Sequence, residues 1–73
     1  MEQYKGYLIY AWTVPHFRER CLSHGIVCKM RPRGSVLEVK RIQGRTFTTN
    51  EEAEAHGLEM CRTWIDEQAS TEK

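Results

Sequence analysis

Seventy-three residues leave room for one domain (1–73) and no second module. Hydrophobic residues at 40% and charged residues at 29% are ordinary globular values, and no apolar run approaches the ~20 residues that cross a bilayer. A formal net charge of +1 excludes a chain that works through overall basicity or acidity.

A domain this small buries only ~60% of the surface its unfolded chain exposes, so disulfides, a metal or a second subunit commonly supplement the core. Cys21, Cys28 and Cys61 form neither a CxxC pair nor the even set of a disulfide framework. Reduced thiols and a cytoplasmic location are expected. The opening residues show no small-residue cleavage site of a secretory signal, which points the same way.

Residues 4–12, Tyr-Lys-Gly-Tyr-Leu-Ile-Tyr-Ala-Trp, are aromatic and aliphatic and too short for a stable helix, so they read as a strand. Alternation places Tyr7, Ile9 and Ala11 on one face and Leu8, Tyr10 and Trp12 on the other. Neither face is polar, so both call for cover. From Thr13 to Gly25 the pattern of Phe17, Cys21 and Leu22 fits a short helix opened by Pro15 as well as a strand after a turn. A short extra element at 15–24 therefore stays open. Ile26 to Met30 reads as a strand, Pro32-Arg33-Gly34-Ser35 as a turn, and Val36 to Ile42 as the returning strand, ended by Gln43-Gly44.

Thr49 followed three residues later by Glu52 is the pattern of a capping box. Beyond it Ala53, Gly57, Leu58, Cys61, Trp64 and Ile65 share one side of a helix, with Glu51, Glu52, Glu59, Arg62 and Asp66 mainly opposite. This predicts an amphipathic helix to about Gln68 and a frayed tail over 69–73. Gly57, in the middle of the apolar side, costs about 1 kcal/mol of helix propensity relative to alanine, which makes close approach to a sheet its use. The predicted fold class is α+β: a three-stranded antiparallel sheet packed against one C-terminal amphipathic helix. Leu58, Cys61, Trp64 and Ile65 are expected to anchor the helix on Tyr7, Ile9, Val27, Val39 and Phe47 or on their opposite-face neighbours.

The stretch from Phe47 through Thr49-Asn50-Glu51-Glu52-Ala53 to Trp64-Ile65-Asp66, with the opening Tyr4-Lys5-Gly6-Tyr7, resembles a group of small uncharacterised bacterial proteins. That resemblance implies two or three antiparallel strands followed by one helix, and it brings no activity with it. A weaker resemblance is to HlyU-like bacterial proteins, through the Tyr-x-Gly-aromatic start, the Phe-x-x-x-x-Glu-Ala helix entry and the late Ile-Asp. Those are described as transcriptional activators; this chain departs from them by its insertion after Trp12 and by its middle strands.

Cys21, His24 and Cys28 are three soft or borderline ligands within eight residues, and His16, His56 or Cys61 would supply a fourth for tetrahedral zinc. The spacing is that of no standard zinc module, so packing is their expected role. No glycine-rich phosphate loop, GxSxG turn or paired carboxylate set is present in the sequence. The reading is a non-enzymatic protein with no catalytic residue and no cofactor.

Charge is unevenly placed along the chain. Lys29, Arg31, Arg33, Lys40, Arg41 and Arg45 face a single acid, Glu38, in the hairpin region, whereas seven acidic residues meet only Arg62 and Lys73 after Thr49. Arg31, Arg33, Lys40, Arg41 and Arg45 could track a phosphate backbone, the nucleic-acid alternative. Head-to-tail attraction between the basic hairpin and the acidic helix uses the same charges. Together with the doubly apolar first strand this favours an interaction or adaptor protein that forms a homodimer through its sheet, with Tyr10 and Trp12 at the interface, and that has no membrane partner.

Overall fold

The computed structural model describes residues 1–71, with side chains described as far as Gln68. Four antiparallel strands follow one another in chain order, β1 (Glu2–Tyr4), β2 (Tyr7–His16), β3 (Arg20–Met30) and β4 (Val36–Phe47), and a single long helix, α1 (Asn50–Thr71), lies across one face. The class is α+β as the sequence predicts, but the sheet has four strands instead of three. The first apolar segment is broken at Lys5-Gly6, where φ values of 48° and 86° make a left-handed turn that only glycine adopts freely. Glu2–Tyr4 therefore folds back on β2, with Glu2 opposite Ile9 and Tyr4 opposite Tyr7.

The segment left open by the sequence is neither a helix nor a loop. β2 continues through Pro15, which pairs with Cys21, and β3 begins at Arg20. β1 reaches only as far as Ile9, so Pro15 lies on an edge, the place in a sheet where a missing N–H is tolerated. The extra element at 15–24 reduces to a three-residue turn, Phe17–Glu19, in which Arg18 and Glu19 are left-handed.

Two irregularities shape the β3–β4 pairing. Ser23 stands against both Gly44 and Arg45, and Val39 is an extra residue where the register passes from Val27–Lys40 to Cys28–Glu38. The first is tied by Ser23, fully buried, whose hydroxyl donates to the Arg45 carbonyl at 3.1 Å. The second removes Val39 from the core position expected of it and leaves it 39% exposed.

The core lies between α1 and the central strands. Ile9 and Val27, opposite one another in the sheet, meet Cys61 and Ile65 of α1, with Tyr4, Tyr7, Leu58 and Trp64 packed around them. Burying Ile9, Val27 and Ile65 contributes on the order of 1.5–3 kcal/mol each. Phe47 contacts α1 through the His56 ring, with centroids 5.1 Å apart. The close approach expected of Gly57 is present: a Cβ there would lie 2.5 Å from the His24 carbonyl oxygen, and one at Gly25 would lie 2.7 Å from Cys61 Sγ. Helix and sheet thus touch backbone to backbone.

At the helix start the Glu52 amide donates to Thr49 Oγ1 at 3.2 Å, the expected cap. α1 runs on to Thr71, three residues past the predicted end. The tail expected to fray falls on 69–73, whose side chains, with the whole of 72 and 73, lie outside the described residues. Near its C-terminal half α1 holds β1: Arg62 grips the Glu2 carboxylate with two bonds of 2.9 and 3.0 Å, and Asp66 accepts from Lys5 at 2.6 Å and from the Tyr4 hydroxyl at 3.0 Å.

Candidate interaction face

A two-residue period fixes which β2 side chains meet α1 and which turn away. Ile9 points into the core, so Leu8, Tyr10, Trp12 and Val14 occupy the opposite face. Their cross-strand partners Cys28, Ile26, His24 and Leu22 share it, as do Arg41 beside Ile26 and Gln43 beside His24. Among the described residues α1 is the one element packed on the sheet, and it lies on the other side. Leu8 and Cys28 are buried within this open face by their neighbours, whereas Tyr10, Trp12, His24 and Ile26 are only half-buried. Val14 at 37%, Val36 at 49% and Met30 at 54% exposure extend the apolar surface towards both ends of the face.

At the middle of the face the Trp12 and His24 rings are stacked, 5.1 Å between centroids and 10° between planes. The Arg41 guanidinium lies over the Trp12 ring at 5.8 Å while donating to Glu38 at 2.9 Å. That hydrogen bond raises the Arg41 pKa and ties the guanidinium, which stands over the indole, to Glu38. A cation, two stacked rings and a phenol therefore stand within one apolar surface. The sequence places Tyr10 and Trp12 together on one strand face; joining His24 and Arg41 to them requires the cross-strand register, which no local pattern encodes.

The five basic candidates do not converge on one surface. Arg31 and Arg33 belong to the β3–β4 turn, closed by a 2.8 Å bond from the Arg31 amide to the Ser35 carbonyl. Lys40 is opposite Val27 and so on the α1 side, Arg41 is on the open face, and the Arg45 guanidinium lies 5.4 Å over the ring of Phe47, which packs on α1. Three places receive what the sequence presented as one run.

The Cys21, His24 and Cys28 ligand set is likewise divided. Cys21, opposite Phe47, is on the helix side, while His24 and Cys28 are on the open face. Among the described residues no group of three or more His, Cys, Asp or Glu side chains is arranged to hold a metal ion. Burial pushes the Cys61 thiol up to about 11, and burial followed by the charge of Glu38 raises that of Cys28. Neither is an activated nucleophile, because it is the thiolate that reacts. No helix among the described residues is long and apolar enough to cross a membrane. Comparison with family models, with curated proteins and with solved structures returns no match, so the functional reading rests on the chain's own geometry.

Proposed function

We propose that this chain is a small non-enzymatic interaction protein that pairs with a second copy of itself through the open face of its sheet. The observation that carries the reading is the one-sided cover: α1 shields Ile9 and Val27, while among the described residues no protein layer lies over Tyr10, Trp12, Ile26 and their neighbours. Three strands of 10, 11 and 12 residues with the three residues of β1 at one corner, at ~3.3 Å per residue and ~4.8 Å between strands, present ~570 Å². That is of the same order as the ~800 Å² each partner contributes to a standard interface. The pairing would be isologous, with the stacked Trp12 and His24 near its centre.

A second reading places single-stranded nucleic acid on the same face. It is favoured by the Arg41–Trp12–His24 group, since planar rings beside a cation are what bases stack on. The split placement of Arg31, Arg33, Lys40 and Arg45 supports it less.

One set of measurements separates the two. Native mass spectrometry and light scattering of wild type at about 100 μM are expected to show self-association, and Trp12→Glu to lower the average mass at the same concentration while leaving the circular dichroism spectrum unchanged, the loss being that of open-face pairing. A wild-type monomer under those conditions ends the dimer reading. Quenching of Trp12 fluorescence by a ten-nucleotide oligothymidine, weakening with salt and lost in Arg41→Glu, would move the assignment to nucleic acid.

A further inference from the structure

The β2–β3 hairpin ends in a side chain that the fold does not use. Phe17 is 75% exposed at the tip. Arg18 and Glu19, which follow it, have φ values of 60° and 59°. Two consecutive non-glycine residues in the left-handed region are strained, and the sequence puts no glycine or asparagine there to relieve it. The Arg18 guanidinium lies 5.7 Å over the Phe17 ring. The tip is an aromatic knob with a cation and an anion next to it in sequence.

Elsewhere the described residues leave a recess open. A groove of about 350 Å³ runs between β4 and α1, with Ile42, Met60, Thr63 and Trp64 in its lining and Lys40 and Glu59 supplying charge from its two sides. A benzene ring occupies an apolar cavity of about 150 Å³, so the groove has room for a phenyl group. A chain cannot fill its own groove with its own tip. Ile42 is in the cross-strand row of Gly25 and Ala11, and six residues of extended strand from Ala11 put Phe17 ~20 Å away along the sheet.

We propose that the Phe17 tip of one copy docks in the β4–α1 groove of another, joining copies head to tail. Phe17 enters between Ile42, Met60 and Trp64; Arg18 meets Glu59 and Glu19 meets Lys40. The strained turn keeps the ring in the projecting position it needs for docking. Such a contact joins two different patches, so it leaves a free tip at one end of the pair and a free groove at the other, and it propagates unless it closes into a ring. It uses neither Tyr10 nor Trp12 and holds whether or not the open faces pair.

Two variants, each defective in one half of the contact, test it. Phe17→Ser removes the knob and leaves the groove; Thr63→Arg, at an exposed helix position, obstructs the groove with a second cation and leaves the knob. Dye-labelled Phe17→Ser chain is titrated, by fluorescence anisotropy, with the Thr63→Arg chain and separately with a chain carrying both substitutions. Open-face pairing contributes equally to both titrations. The Thr63→Arg chain is expected to half-saturate at a concentration at least tenfold lower than the doubly substituted chain. Coincident curves overturn the proposal. Should Thr63→Arg alter the circular dichroism spectrum, Glu59→Arg obstructs the same groove and the same two outcomes apply. Trp12→Glu, which tests the open face, is expected to leave this tenfold difference in place.

Discussion

At position 57 two preferences oppose each other. Alanine in a helix interior is better than glycine by about 1 kcal/mol, yet a Cβ at Gly57 would stand 2.5 Å from the His24 carbonyl oxygen and 2.9 Å from the Ala11 methyl. Neither neighbour is the far end of a flexible side chain, so α1 would have to lift from the sheet. Overpacking of this kind costs about 1–3 kcal/mol. Gly57→Ala is therefore expected to lower stability by up to about 2 kcal/mol net, read as a fall in the urea midpoint at unchanged m-value. A rise would mean that α1 floats above the sheet. The role of Gly57 is legible in the sequence because glycine on the apolar side of a helix has few other uses. Gly25, its partner across the contact, is not, since only the register of β3 against β2 brings it beneath α1.

Among the elements, the helix is the most legible, because a cap and a 3.6-residue period both announce it. The strands are legible as strands but not as a count. A break at Lys5-Gly6 needs two left-handed residues, and a glycine inside an aromatic run does not by itself signal a turn. What β1 gains from that turn is electrostatic. Lys5 and then the Tyr4 hydroxyl, both donating to Asp66, hold its carboxyl below the ordinary 3.8, and the Arg62 hydrogen bonds hold Glu2 below 4.5. Lowered folded-state values mean that this stability is full above the ordinary values and is lost as pH falls through the folded ones. Lys5, raised by the hydrogen bond to Asp66, follows the opposite sense: its share is present below 10.5 and lost as pH rises through its higher folded-state value. In wild type the urea midpoint should drop between about pH 5 and pH 2. Asp66→Asn should flatten that limb, and added salt should shrink the difference between the two chains. An unchanged acid limb in Asp66→Asn would show that the β1–α1 contact is not a titrating one.

For the whole molecule, a sheet covered on one side is the feature from which the open-face contact derives its geometry. The doubly apolar β2 announces uncovered surface in the sequence itself. Which face α1 takes is undetermined by alternation, because both faces of β2 are apolar enough to receive it. The basic run of the hairpin reads as one patch in a linear sequence, and a sheet of period two with a bulge at Val39 divides it. The arrangement of the strands has a further consequence. Each strand pairs with its neighbour in sequence, β1 with β2, β2 with β3, β3 with β4, so every closure that builds the sheet is a short one, and short closures lose little chain entropy. The helix depends on a surface that exists only once Ile9 and Val27 have been brought side by side, so its docking is expected to complete the core late in folding. Ile65→Ala, which truncates a side chain only 2% exposed in that late contact, should accelerate unfolding while leaving the refolding arm of the chevron almost where it was. The fold is a row of adjacent zippers closed by one clasp, and the clasp is expected to set how long the native state lasts.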